Sequence, residues 1–233
     1  MSIHKLLITI ALISVQTMYT MNYKRQLWQA LKHGTIEKAQ EALDDGASVS
    51  IRTHFGATPL HMAAYNGFAT IARLLIENGA SIDAIDKDGN APLYNAVSQQ
   101  HLDVVIVLLI NGAQVQPIIN NRVCNREILH SAVENNDSDI IELLLQKTIY
   151  INIQDFKGQT ALHKAVQKSI NPKVISLLLS NGINPCIVDA SGKTALCYLK
   201  KRFHSMLYNK NKIMLKPVID ILRTAMLKRR HSY

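Results

Sequence analysis

The chain repeats itself about every 33 residues, and that period restricts it to a stack of supersecondary units. Leu60 is followed by Leu93, Gly46 by Gly79 and Gly112, and His130 by His163, each step being 33 positions. Units of this length cannot bury their own apolar faces. Neighbours on either side must cover them, and the terminal units must turn a polar face to water.

One unit can be read residue by residue. Thr58 is placed to cap a helix by accepting a backbone N–H, and Pro59 follows at the first helical position, where its missing donor costs nothing. Leu60, Ala63 and Ala64 keep one face apolar and slim, so a neighbouring helix can approach closely. Gly67 supplies the positive φ that ends this helix. Ile71, Leu74 and Leu75 mark the stripe of a second helix, which Gly79 closes in the same way. Ala80 to Asp88 has no helical period and runs into Asp88-Gly89, a turn signal. The predicted unit is helix, turn, helix, hairpin-like loop.

Thr58-Pro59-Leu60-His61-x-Ala63, followed by Leu74-Leu75-Ile76-x-x-Gly79-Ala80, resembles the ankyrin-repeat family. The resemblance implies an all-α repeat solenoid of helix-turn-helix units joined by hairpin-like loops. Six units are expected in a single domain over 21–233, at about 23–52, 53–85, 86–117, 118–154, 155–188 and 189–227. The first keeps Leu27, Ala30, Gly34 and Gly46-Ala47 but lacks Thr-Pro, as suits an N-terminal cap. The third has Ala91 and Tyr94 where the second has Thr58 and His61. The fourth is the most degenerate, with Glu127-Ile128 in place of Thr-Pro. The fifth returns to pattern with Thr160-Ala161-Leu162-His163, and the sixth starts well at Thr194-Ala195-Leu196 before a basic C-terminal cap and tail, 200–233.

With 48% hydrophobic residues and 6% aromatics, the chain has what a continuous core of Leu, Ile, Val and Ala requires. Cys124, Cys186 and Cys197 have no paired spacing and give no disulfide framework. Residues 1–20 show His4-Lys5, an uncharged run from Leu6 to Val15 and a short polar stretch, the three-part shape of a signal peptide. On that reading the mature protein is exported or secreted. The other reading is a start at Met21 and a cytoplasmic protein. The tail holds ten Lys or Arg against one acid, Asp220, whereas the preceding 199 residues carry sixteen of each sign, so the whole formal charge of +9 lies there.

Apparent catalytic signals fail. Ser191-Gly192-Lys193-Thr194 looks like the end of a phosphate-binding loop, but Ile187 stands where that motif needs glycine. His61, His130 and His163 recur on helices that pack about 8–10 Å apart, too far to share a metal ligated at roughly 2 Å. The resemblance implies instead that this histidine bonds backbone near the neighbouring threonine. No cofactor, metal, catalytic residue or small-molecule substrate is expected, and the protein is expected to be a monomer.

What remains is binding. Ankyrin-type repeats recognise proteins through loop tips and the face formed by their first helices. Carried over by position, the tips here include Arg52, His54, Phe55, Lys87, Asp88, the irregular loop Gln116 to Asn125, Phe156 and Lys157. The helical face includes Met62, Tyr65, Asn66, Asn95, Gln99, Glu134, Lys164 and Lys168. Phe55 and Phe156 are the sharpest points, because an aromatic at a polar tip loses hydration unless covered. The reading is a non-enzymatic scaffold for a protein partner. Abundant Ile, Asn and Lys suit an AT-rich genome, as in intracellular bacteria or large DNA viruses, and by analogy with ankyrin proteins there the resemblance implies a host-directed factor of an intracellular microbe. The alternative is a targeting factor whose basic tail (Lys200, Lys201, Arg202, Lys228, Arg229, Arg230) meets an acidic partner, an anionic membrane or nucleic acid while the repeats hold cargo.

Overall fold

The computed structural model describes residues 21–116, 118–119, 122–123, 127–147, 150–168, 170–205 and 212–230. The leader-like segment 1–20 and half of the 116–125 loop, Cys124 included, lie outside the described residues.

Twelve helices occur among the described residues. They are α1 (helical over 21–33), α2 (Ile36–Asp44), α3 (Pro59–Asn66), α4 (Ala69–Glu77), α5 (Pro92–Ser98), α6 (Leu102–Ile110), α7 (Ile128–Glu134), α8 (Ser138–Leu145), α9 (Ala161–Lys168), α10 (Pro172–Ser180), α11 (Ala195–Ser205) and α12 (Lys212–Arg230). Between α6 and α7 the irregular loop holds two short strands, β1 (Ile118–Ile119) and β2 (Arg122–Val123), paired antiparallel with Ile118 opposite Val123. Periodicity gave no sign of this hairpin, because two-residue strands are too short to show an alternation.

Contacts group the described residues into two compact halves, one ending at Gln114 and one beginning at Val115. Within the first, α3 packs on α5, and α4 packs on both α2 and α6. Within the second, α7, α9 and α11 pack in sequence, as do α8, α10 and α12. Each half therefore has a layer of first helices and a layer of second helices. Leu60, Ala63, Ala64, Ile71 and Leu75 are fully buried in the first half, and Leu162, Ala165, Val166, Val174 and Leu178 in the second. Burying each Leu or Ile contributes roughly 1.5–3 kcal/mol, and the alanines let the first helices approach.

The first helices of the first five repeats are each followed, within two residues, by a residue with positive φ: Gly34 (71°), Gly67 (79°), Gln100 (62°), Asn136 (57°) and Ile170 (44°). The first two are glycine for a second reason. A Cβ on Gly34 would stand 2.7 Å from the Phe68 ring, and one on Gly67 would stand 2.7 Å from the His101 ring. The later repeats tolerate larger residues in this slot at a cost of about 1–2 kcal/mol each.

Candidate partner-binding surface

The loops that join the repeats are small hairpins closed by one recurring bond. Thr53 N–H donates to Ala57 O, Asp86 to Asn90, Asp155 to Gln159 and Asp189 to Lys193, each at 2.9 Å. The aspartates do more than start the turn. Asp86 Oδ1 accepts the N–H of Asp88 (3.0 Å) and of Asn90 (2.9 Å), and Asp155 Oδ1 accepts those of Lys157 and Gln159, both at 2.8 Å. Asp189 Oδ1 repeats the pattern with Ser191 and Lys193. A short carboxylate satisfying two backbone donors fixes the tip without help from the core.

Adjacent hairpins are also tied to each other. Lys87 N–H donates to Phe55 O and Ala190 N–H to Lys157 O, both at 3.0 Å. Arg52, expected to face a partner, instead sends one guanidinium nitrogen to Gly56 O and Ile85 O, each at 2.6 Å. Gln154 does the same work in the second half, reaching Gly158 O (2.5 Å) and Val188 O (3.0 Å). Sequence reasoning missed this clamp because an arginine and a glutamine share no motif. The one available signal was that both precede their turn aspartate or threonine by one residue.

On these pinned backbones Phe55 is 71% exposed and Phe156 84% exposed. Neither ring folds back on its hairpin. The Phe55 ring stands T-shaped to the neighbouring His54 ring, at 5.4 Å between centroids, and Lys157 Nζ lies 5.3 Å from the Phe156 ring centre. Lys87, Asp88, His54 and Lys157 are exposed beside them.

The helical-face residues divide. Tyr65, Gln99 and Lys168 are exposed and Met62 is half-buried. Asn66 Nδ2 donates to Leu31 O (3.0 Å) and Asn95 Nδ2 to His61 O (3.4 Å), so these amides hold one helix to the preceding one. Lys164 Nζ sits 2.9 Å from Glu134 and 3.0 Å from Asp155. Burial alone would lower the Lys164 pKa, but its bonds to these two carboxylates reverse the effect and raise it. Lys200 and Lys201 on α11, and Lys228 on α12, are exposed, whereas Arg202 donates to Gln167 O at 2.8 Å. Arg229 and Arg230 fall within α12, with side chains outside the described residues.

The repeat histidines are structural. His61 Nδ1 accepts the Thr58 N–H (3.1 Å) and lies 2.8 Å from the Thr58 hydroxyl, and Nε2 lies 3.0 Å from Asn90 O in the next loop. His163 repeats this with Thr160 and Lys193. His130 keeps only the forward bond, to Gln159 O at 2.8 Å. At the sixth repeat Cys197 takes this place, its Sγ 3.4 Å from the Thr194 hydroxyl, a bond that lowers the thiol's pKa. Among the described residues no three His, Cys, Asp or Glu side chains are placed to hold a metal ion.

Residues 27–119 and 129–202 match the family described as ankyrin repeats (3 copies). The chain belongs to the ankyrin-repeat family. It is 39% identical over 69 residues to the ADP-ribosylation factor GTPase-activating protein AGD4 of Arabidopsis thaliana, a match covering 30% of this chain and 9% of that protein. It is 30% identical over 115 residues to the putative ankyrin repeat protein L86 of Acanthamoeba polyphaga mimivirus, covering 33% and 20%. The chain thus spans a fifth or less of these two relatives' lengths. Among solved structures, the ankyrin-repeat protein EF0377 aligns with a TM-score of 0.68 at 28% identity, covering 78% of this chain and 94% of EF0377. A chain of the complex between the Bdellovibrio bacteriovorus predatory endopeptidase Bd0816 and the immunity protein Bd3460 has the same fold, with a TM-score of 0.68 at 23% identity, covering 82% and 97%. Domains of this family are generally protein-binding scaffolds and typically non-catalytic.

Proposed function

We propose that this ankyrin-repeat chain is a non-enzymatic scaffold whose loop tips capture a protein partner, with Phe55 and Phe156 as apolar anchors. The observation that carries the reading is the pairing of large exposed rings, 71% and 84%, with backbones fixed by Thr53, Asp155 and the Arg52 and Gln154 clamps. An exposed ring on a rigid turn loses little conformational entropy when a partner covers it, and aromatics are enriched among interface hot spots. Tyr65, Lys87, Asp88 and Gln99 in the first half, and Lys168 in the second, are further exposed groups of each half, while Asn66, Asn95 and Arg52 bond within the stack. The complex of Bd0816 with an immunity protein supports capture of a whole folded protein by such a fold. The partner we propose is a host protein met by an intracellular microbe, a reading that the likeness to the mimivirus ankyrin repeat protein supports.

The test is quantitative affinity capture with the full chain and with Phe55→Ala and Phe156→Ala as separate baits. A partner retained by the wild type should be lost or weakened by about 2 kcal/mol with at least one variant. Melting curves of both variants should match the wild type, since an exposed ring adds little to the core. A variant that loses about 2–5 kcal/mol of stability, as a core Leu→Ala change would, shows that its ring packs inward. Partners held equally by all three baits overturn the anchor role.

A further inference from the structure

The C-terminal end of the second half carries the net charge of the chain, well beyond the one guanidinium that Arg202 sends to Gln167 O. Residues 200–233 hold ten cations and one acid, while the preceding 199 residues balance. The opposite end of the chain provides an internal comparison. Residues 21–50, which form the first repeat, contain four Lys or Arg and four Asp or Glu. A terminal repeat therefore gains its solvated face from mixed charge, and a single sign is not required for that purpose. One-signed charge also adds self-repulsion to the folded state.

The placement of α12 decides what this charge can meet. Val218 and Leu222 are fully buried and Ile219 nearly so, which anchors one face of the helix in the half. The outward residues include Ile221, Arg223, Thr224, Leu227 and Lys228. Nineteen helical residues span about 28 Å, and cations recur along that length at positions 212, 216, 223 and 228–230. Among them Ile221 is 37% exposed and Leu227 56% exposed. A nucleic-acid backbone would accept the cations but return nothing for an exposed leucine. The interface of a bilayer takes both, with cations at the phosphates and apolar tips at the acyl boundary. Among the described residues no helix is long and apolar enough to cross a membrane, so the contact lies on its surface.

We propose that the outward face of α12 docks on anionic phospholipid headgroups, independently of the protein held by the loop tips. The experiment uses the full chain with three probes: phosphatidylcholine vesicles, the same vesicles containing phosphatidylserine, and a short DNA duplex. Sedimentation should show binding to the acidic vesicles that weakens as salt rises, and little to the neutral ones. Each cation near such a surface is worth about 1 kcal/mol, roughly 5-fold, so Arg223→Gln/Lys228→Gln together should weaken it about 25-fold. Leu227→Asn should weaken vesicle binding without changing its salt dependence, and circular dichroism should show unaltered helices in both variants. Absence of binding to acidic vesicles at low salt, equal binding to neutral ones, or tighter binding to DNA overturns the proposal. An unaffected double variant or an unaffected Leu227→Asn variant overturns it as well.

Discussion

His61 Nε2 lies 3.0 Å from the carbonyl oxygen of Asn90, so a side chain of one repeat closes the loop of the next. Because Nδ1 accepts the Thr58 N–H, the ring proton sits on Nε2 and is donated to Asn90. The neutral imidazole satisfies both buried groups, and a second proton on Nδ1 would face the Thr58 N–H. Burial lowers the His61 pKa, against the opposing pull of the Asn90 carbonyl, and burial likewise lowers that of His130 against Gln159.

The sign of the pH dependence follows. Each of these histidines binds a proton near pH 6.5 in the unfolded chain and resists it when folded. The unfolded state therefore holds more protons, and stability is present in full above about 6.5 and is lost as pH falls from there through the lower folded value. Thermal melts between about pH 7.5 and pH 5 should show a falling Tm, with a shallower slope in His61→Gln. A flat wild-type profile in that window would contradict the argument.

His130 identifies the weak point of the fourth repeat. Its Nδ1 is buried and has no hydrogen-bond partner among the described residues. The N-cap there is Glu127, at φ −97° and ψ 16°, whereas Thr58 is extended at φ −88° and ψ 169°. An unsatisfied buried polar group costs about 1–3 kcal/mol and a lost cap about 0.5–2. The following helix is better served, since Asp137 accepts the N–H groups of Asp139 and Ile140. In hydrogen exchange the amides of α7 should open before those of α3 and α9, and Glu127→Thr should recover about 1 kcal/mol. Protection of α7 equal to that of α3 would refute this.

The legible parts of the molecule are those written locally. Thr58-Pro59-Leu60-His61 specifies a helix start within four residues, and the glycines at 67 and 79 specify the ends of that helix and of the next, as their φ values of 79° and 81° bear out. The exposure of Phe55 and Phe156 was legible only as an open choice, because a ring at a turn can fold back or stand out. The clamps of Arg52 on Ile85 O and Gln154 on Val188 O were not legible. Their geometry needs a long donor at one register position, and two unrelated side chains provide it. Nor was the packing of Phe68 over Gly34 and His101 over Gly67, since the partners are 34 residues apart and chemically unlike.

That packing makes Gly67 and Gly79 separable by experiment. Both have positive φ, but a Cβ at Gly79 meets nothing within 4 Å, whereas one at Gly67 meets the His101 ring at 2.7 Å. Gly79→Ala should cost about 1 kcal/mol, the conformational term alone. Gly67→Ala should cost more, by about 1–2 kcal/mol of overpacking. In a His101→Ala background the difference between the two should largely vanish. Urea denaturation of the five variants supplies the cycle, and simple additivity would show that the ring moves aside freely.

Tyr198 holds the Asp189 carboxyl below its ordinary range. Its hydroxyl donates to Asp189 Oδ2, while Asp189 Oδ1 holds the Ser191 and Lys193 N–H groups. The hydrogen bond from Tyr198 is the main cause of an Asp189 pKa lowered to about 2, with the backbone donors adding to it. The same bond raises the phenol, which must lose its proton beside a carboxylate. A depressed carboxyl contributes stability that is present above the ordinary value of 3.8 and lost as pH falls through about 2. Tyr198→Phe removes the donor and keeps the ring that packs edge-on to His163 at 6.2 Å. In that variant the Asp189 titration should move up towards 3.8, and the loss of stability on acidification should shrink, because folded and unfolded values converge. Carboxyl chemical shifts followed through the acid range read the pKa directly. An Asp189 that titrates at the same pH in Tyr198→Phe would mean that the turn amides alone hold it down.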